Sequence, residues 1–203
     1  GTDGTDVGTT ITTQGDILYR DGSGLARLGF GTSGHVLTTK GTGANPTWEA
    51  AVGGKIGQVL IATKTDTQSI SGASWNDITG LSVAITPSAT TSKIWWSFMF
   101  WGGTNVDYGD CKIVYGDGTD LTTQAIGDAS SSRRRGTSQF GYQHPADQTT
   151  NHVGAGLDAP NTTSATTYKL QWWQPSGTFY LNRSVTNSDN NSNIIGYGSL
   201  MLM

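Results

Sequence analysis

The sequence predicts an all-β protein that joins a short N-terminal β-rich module to a larger jelly-roll sandwich. Of its 203 residues, 34% are hydrophobic and only 13% are charged. Much of the remainder is Thr, which favours strands, and Gly and Asn, which favour turns. Short strand-like runs recur at intervals of about 8–12 residues, a spacing typical of a sandwich or a barrel. We therefore expect many short strands.

Residues 1–53 form the first predicted module, a Gly/Thr-rich shaft or attachment segment. Its leader GTDGTDVGTT is typical of a linker, and we expect it to continue a longer or processed chain. The run DILYRDGSGLARLGFG predicts a strand, a turn at residues 21–24 and a second strand, and HVLTT predicts a third. A core this thin cannot offset an ordering cost of about 1–2 kcal/mol per residue. We therefore expect neighbouring copies of the chain to order this module.

Residues 54–203 form the second predicted domain, a regular series of strand-like runs. The runs lie at 57–64, 81–86, 92–101, 110–115, 121–126, 136–142, 151–158, 166–173, 178–184 and 193–203. Turn signals such as SGAS, TPSATTS, GDGTD, QPSG and NSDNNSN separate them. This density of strands fits a two-sheet jelly roll.

The run IWWSFMFW is apolar on both faces of its predicted strand. Alternation places the even-numbered residues from Ile94 to Phe100 on one face and the odd-numbered residues from Trp95 to Trp101 on the other. A sandwich covers only one face of each sheet. We favour the interpretation that the second face meets another protomer; the alternative is a long loop laid across the sheet.

Charge and cysteine content exclude several classes of protein. A formal net charge of -3 is too small to indicate nucleic acid or an anionic membrane as partner. No apolar run approaches the roughly 20 residues that a membrane-spanning helix needs. Cys111 is the single cysteine, so the chain has no internal disulfide, and we expect a small buried side chain there.

The sequence carries no catalytic signature. Its three histidines, His35, His144 and His152, fall in different predicted elements, and we expect surface or turn positions for them. Neither a Gly-x-Ser-x-Gly elbow nor an HExxH or P-loop pattern is present. We therefore predict a protein that is not an enzyme and that needs no metal or other cofactor.

Two oxygen-rich loops are candidates for calcium. One contains Asp117 and Asp120 in YGDGTD, and the other contains Asp189 in NSDNNSN. Calcium takes oxygen ligands, but neither loop has the register of the calcium-binding loop of an EF-hand. We interpret both as turns in which Asp and Asn side chains bond to nearby backbone.

The stretch TTQGDILYRDGSGLARLGFGTSGHVLTTKGTGANPTWEA resembles a module of marine bacteriophage tail-fibre-like and virion structural proteins. The second part resembles a C-terminal domain that recurs in such proteins. The matching stretches are GKIGQVLIATKTDTQSISGASWNDITGLSVAITPSATTSKI, AIGDASSSRRR, LDAPNTTSATTYKLQ and YLNRSVTNSDN. The resemblance implies a homotrimeric fibre or appendage on the virion surface. Its head would be similar to trimeric jelly rolls of the tumour-necrosis-factor and complement globular-head type.

The resemblance also implies the partners of the chain. These are further copies of itself, other virion proteins reached through the N-terminal part, and a glycan or protein of the host surface. The alternatives are a capsid decoration or head fibre without receptor binding, and a secreted lectin or polysaccharide-active enzyme. Three observations separate these hypotheses. Binding to host cells supports the first, location on the capsid without cell binding supports the second, and turnover of a polysaccharide supports the third.

Two sets of residues are candidates for contact with partners. Aromatic side chains on exposed loops suit sugar binding, and the expected receptor contacts are Trp101, Asn105, Tyr108, Tyr142 and His144. The arginine run suits ion pairs with acidic turns of a neighbouring chain, although a solvated edge and a pair with Asp128 are alternatives. The expected trimer contacts are Leu18, Leu25, Leu28, Trp95, Met99, Arg133, Arg134 and Arg135.

Overall fold

The computed structural model describes residues 7–51, 56–104, 108–121, 125–141, 148–186 and 195–203. The chain divides into two compact units, Gly1–Lys55 and Ile56–Met203. The boundary predicted between residues 53 and 54 lies outside the described residues. Of the residues that the structure describes, none belongs to a helix with the length and hydropathy that crossing a bilayer takes.

The first unit contains one helical turn and two β-hairpins. Helix α1 (Val7–Thr10) lies where the sequence predicted a linker, and a hydrogen bond from the Ile11 amide to the Val7 carbonyl closes its turn. Strands β1 (Ile17–Arg20) and β2 (Leu25–Leu28) pair antiparallel, as do β3 (His35–Thr38) and β4 (Thr47–Ala50). The first three strands match the predicted runs, whereas β4 was not predicted.

The first hairpin turns at Asp21, as the sequence predicts. The Asp21 carboxylate accepts hydrogen bonds from the backbone amides of Ser23 at 2.7 Å and Gly24 at 2.8 Å. These two donors hold the pKa of Asp21 below its usual value. The side chain therefore fixes the turn that brings β1 and β2 into register.

The second unit consists of strands joined by short turns. They are β5 (Leu60–Lys64), β6 (Gln68–Ser71), β7 (Asn76–Ile85), β8 (Ile94–Thr104), β9 (Tyr108–Tyr115), β10 (Ser138–Gly141), β11 (Thr150–Asp158), β12 (Thr166–Trp173), β13 (Thr178–Leu181) and β14 (Gly198–Leu202). Strand β6 was missed, because its sequence QSIS offers a single apolar residue. Residues 122–124 of the strand predicted at 121–126 lie outside the described residues; Leu121 is buried without strand pairing, and Ala125 lies in a bend.

These strands form two antiparallel sheets in the described part of the chain. One has the order β10-β9-β12-β7, and the other has the order β5-β14-β8-β13-β6, with β11 paired to β8. Consecutive strands often change sheet: β7 and β8 lie in different sheets, as do β8 and β9. The predicted all-β class and sandwich architecture are confirmed.

The core lies between the two sheets and is rich in aromatic rings. On β8 the predicted alternation is confirmed, since Ile94, Trp96, Phe98 and Phe100 are buried. Residues of β12 meet them from across the core, and Trp172 of β12 packs edge-on against Phe179 of β13, the neighbour of β8, with ring centroids 4.9 Å apart. Aromatic pairs in this geometry add stability beyond their area of burial.

Strand β11 has glycine where it faces this core. A Cβ atom on Gly154 would lie 2.4 Å from the Phe98 ring, and one on Gly156 would lie 2.4 Å from the Trp96 ring. The large rings of β8 thus lie across the neighbouring strand. Glycine at these two positions makes room for them.

Candidate interaction surface

The two outer faces of the sandwich differ in charge. On the four-stranded sheet three ion pairs face away from the core: Lys169–Asp77 at 2.8 Å, Lys112–Asp120 at 2.6 Å and Arg134–Asp110 at 2.7 Å. In each pair one side chain is largely buried while its partner stays at least three tenths exposed, so every pair keeps contact with water. This face is therefore suited to solvent.

The outer face of the other sheet carries no charged side chain within β5, β14, β8 and β11. We call this surface the uncharged face; it consists of Ile61, Thr63, Ser199, Met201, Trp95, Ser97, Met99, Trp101, Asn151, Val153, Ala155 and Leu157. Ile61 is 60% exposed, Val153 61% and Leu157 46%. Ten residues around its centre, including Trp95 and Met99, line an open groove of about 440 Å³.

The uncharged face is comparable in area to the largest apolar patch of an ordinary monomer. Strands in a sheet lie about 4.8 Å apart and rise roughly 3.3 Å per residue, so four strands over seven residues cover roughly 400 Å². The largest apolar patch of an ordinary monomer is about 300–600 Å² and is often functional. Its size and lack of charge make this face the candidate interaction surface.

Strand pairing brings the members of the uncharged face together from distant parts of the chain. Val153 of β11 pairs with Met99 of β8, and Ser199 of β14 pairs with the same Met99 on its other side. The predicted trimer contacts Trp95 and Met99 are both half-buried on this face. Ile61, Val153 and Met201 also belong to this face but were not predicted as contact residues. The alternation of His152, Val153 and Gly154 could have indicated that Val153 faces outward.

The expected receptor contacts do not share one surface where they are described. Trp101 lies half-buried on the uncharged face, against Gly196. Tyr108 lies on β9 of the other sheet, 38% exposed, with its ring stacked 6.5 Å from that of Trp173. Asn105, Tyr142 and His144 lie outside the described residues. Receptor contact by these residues stays a prediction.

The arginine run makes contacts inside its own chain. The Arg134 guanidinium lies 3.4 Å from the centroid of the Trp173 ring, and its Nε donates to the buried Asp110 carboxylate at 2.7 Å. The Arg135 Nε donates to the Gly127 carbonyl at 2.6 Å. Asp110, rather than Asp128, is thus the partner of the run. Contact with another chain stays a prediction for all three arginines.

One histidine differs from expectation. His152 is 4% exposed, on the inward face of β11, with its ring centroid 5.2 Å from that of Phe100. The prediction of a surface or turn position is wrong here, because strand alternation turns this residue toward the core. Burial lowers the pKa of His152 to about 4, so the imidazole is neutral at pH 7. His35 lies half-buried in β3.

A buried carboxylate joins the two sheets at the end of β11. Asp158 is 1% exposed and accepts hydrogen bonds at 2.7 Å from the hydroxyls of Tyr115 and Tyr168. Burial, followed by the bond to Asp158, raises the pKa of Tyr168. This arrangement gives the buried carboxylate two hydrogen-bond donors and joins β11 to β9 and β12.

The oxygen-rich turn around Asp117 is occupied by contacts within the chain. Asp117 accepts the Thr119 amide at 2.8 Å, and Asp120 pairs with Lys112. Within the described residues, no three His, Cys, Asp or Glu side chains are grouped as metal ligands would be. Asp189 lies outside those residues. Cys111 is buried, as predicted, and burial raises the pKa of its thiol.

Comparisons with known proteins identify only distant structural likenesses. No model of a protein family matches the sequence, and no curated protein matches it. The VP2 subviral particle of infectious bursal disease virus is similar with a TM-score of 0.39 and 16% identity, over 88% of this chain and 43% of that chain. The Gx strain of that virus gives 0.37 and 12%, over 88% and 43%, and the Gt strain gives 0.32 and 14%, over 88% and 42%. This chain spans less than half the length of those chains, and TM-scores this low do not show a shared fold.

Proposed function

We propose that this chain is a non-enzymatic structural protein of a bacteriophage virion, a homotrimeric fibre or appendage on the particle surface. Residues 54–203 form its head, and residues 1–53 form the shaft or attachment module that meets other virion proteins. The resemblance of both parts to tail-fibre-like proteins supports this assignment. The observation that carries it is the uncharged face, an exposed apolar surface opposite a face rich in ion pairs.

The head associates with copies of itself through the uncharged face. Every copy presents the same apolar side chains, and no charge of one copy opposes a like charge of another across this face. Association removes Ile61, Val153 and Met99 from water, where burial is worth about 25 cal/mol per Å². The ion pairs of the other sheet remain hydrated. An apolar centre with a polar exterior is the usual pattern of an oligomer interface.

The solution mass of the full chain tests this association. We expect three times 21.4 kDa by light scattering. Val153→Glu places a carboxylate at the centre of the face and should give a monomer. Ala84→Glu adds the same charge at an exposed position of β7, on the outer face of the other sheet, and should leave the trimer intact. A wild-type monomer, or equal masses for the two variants, contradicts the proposal.

The finer role, contact with the host surface, is tested separately. We propose that the projecting head binds a host glycan or protein. Labelled full-length trimer should bind host cells, and Tyr108→Ala should weaken that binding without changing the mass. A trimer that stays on the capsid and binds no cell is a decoration or head fibre instead.

A further inference from the structure

The first unit has a defined conformation without a core of its own. Every residue from 7 to 51 is half-buried or exposed. Four apolar side chains of the hairpins and their connection are exposed by two fifths or more: Leu25 at 43%, Phe30 at 64%, and Val36 and Leu37 at 48% each. The second unit, by contrast, buries a continuous apolar cluster.

Polar contacts and one indole ring fix the two hairpins. The Trp48 Nε1 donates to the Gly29 carbonyl at 2.7 Å, and its ring covers Gly31, where an added Cβ would lie 2.7 Å away. Asp16 lies 3.5 Å from the Arg27 guanidinium. These contacts define the conformation while Phe30 faces outward.

Such contacts do not stabilise the unit in isolation. Ordering costs about 1–2 kcal/mol per residue. A hydrogen bond contributes a net of roughly 1 kcal/mol to folding stability, and an exposed ion pair contributes about 0–1 kcal/mol. Apolar burial must supply the rest, and no apolar residue of the unit is buried among residues 7–51. Its order therefore depends on a surface that covers the exposed apolar residues.

We propose that this surface is the same unit of neighbouring copies, so that assembly of the head orders the shaft. This inference rests on the proposed self-association of the head. Only residues 51–59 separate β4 from β5. Because a short tether holds joined modules at about millimolar concentration, an assembled head brings the copies of this unit together. The four apolar residues, Leu25, Phe30, Val36 and Leu37, then cover one another.

Charge distribution agrees with copies of the same unit as the partner. Acidic and basic side chains balance in the hairpins: Asp16 pairs with Arg27, Lys40 pairs with Glu49, and Arg20, opposite Leu25, neighbours Asp21. The outward apolar residues consequently carry little unpaired charge around them. Identical copies meet without repulsion, whereas nothing at this surface selects a strongly acidic or basic partner.

Trypsin digestion of the full chain tests the coupling, because Arg20, Arg27 and Lys40 lie in the hairpins or the loop between β3 and β4. In the wild-type assembly we expect cleavage there at least tenfold slower than in Val153→Glu, whose head should be monomeric and folded by near-ultraviolet circular dichroism. Phe30→Ser should keep the mass of the assembly and lose this protection. Ser33→Ala, in the same connection, should keep both.

Each result separates the two proposals. A wild-type assembly whose hairpins are cut as fast as those of Val153→Glu overturns the coupling and leaves the proposed function standing. Protection that persists in monomeric Val153→Glu also overturns it, since the unit is then ordered without copies. Equal protection in Phe30→Ser and Ser33→Ala excludes Phe30 from the contact. A wild-type monomer removes both proposals together.

Discussion

The Asp158 carboxylate and the Tyr168 hydroxyl join the two sheets of the sandwich through a buried hydrogen bond of 2.7 Å. Asp158 is the last residue of the edge strand β11. Tyr168 lies in β12, an inner strand of the other sheet. Tyr115 of β9 donates to the same carboxylate oxygen at 2.7 Å. The carboxylate therefore links β11 to two paired strands of the other sheet.

Replacing this carboxylate should cost more than removing either hydroxyl. Asp158→Ala leaves two tyrosine hydroxyls without their acceptor, and we expect a loss of about 2–4 kcal/mol in the free energy of unfolding. Tyr115→Phe removes one donor from a half-buried site and should cost about 1 kcal/mol. Urea unfolding at pH 7 measures both. Equal stability of Asp158→Ala and wild type would show that the link contributes nothing.

The stability of the second unit should fall in mild acid because of His152. Burial lowers the pKa of this histidine to about 4 in the folded chain, against 6.5 for an imidazole in water. Between these values the unfolded chain binds the additional proton, so stability is retained above pH 6.5 and declines as the pH falls toward 4. A shift of this size corresponds to about 3 kcal/mol.

His152→Phe separates this contribution from those of the carboxylates. The variant keeps an aromatic ring beside Phe100 and has no proton to bind. The difference between the unfolding free energies of wild type and variant should change by about 3 kcal/mol between pH 7 and pH 4. A difference that is constant over this range contradicts a buried, neutral imidazole.

Arg134 should be sensitive to a change that preserves its charge. Arg134→Lys loses the planar stacking on Trp173, and we expect a cost of about 1–2 kcal/mol. Arg134→Ala removes the charged partner of the buried Asp110, to which Gln139 still donates at 3.1 Å, and should cost about 2–3 kcal/mol. Thermal unfolding of both, with Arg133→Ala as the control expected within about 0.5 kcal/mol of wild type, measures the effect. If Arg133→Ala destabilises as much as Arg134→Ala, the stacked geometry is not the cause.

Two glycine-to-alanine changes should differ in cost because of the space around them. Gly156→Ala places a methyl group 2.4 Å from the Trp96 ring and should cost about 1–3 kcal/mol. Gly127→Ala meets nothing within 4 Å and should be close to neutral. Chemical unfolding monitored by tryptophan fluorescence compares them. Similar costs would mean that the Trp96 ring moves aside freely.

The sequence was informative where alternation alone decides the structure. The inward face of β8 and the turn at Asp21 follow from local pattern, and both were predicted. The contact of Val153 with Met99 depends on which strands pair and in which register, which residues over 50 positions apart determine together. The pairing of Arg134 with Asp110 likewise depends on the assembled sandwich. So does the burial of His152. The local periodicity of the sequence does not predict which distant residues become neighbours.

The unequal charge of the two outer faces gives them opposite responses to dissolved salt. Screening weakens the ion pairs of Lys169, Lys112 and Arg134 in part as ionic strength rises, through the exposed member of each pair. Sulfate and phosphate, which are excluded from protein surfaces, strengthen burial of the apolar groove around Met99. Raising the sulfate concentration should thus weaken these ion pairs while strengthening the proposed association through the uncharged face. The interactions on one outer face of the sandwich are therefore strongest at low ionic strength, and burial of the other outer face is most favourable at high sulfate concentration.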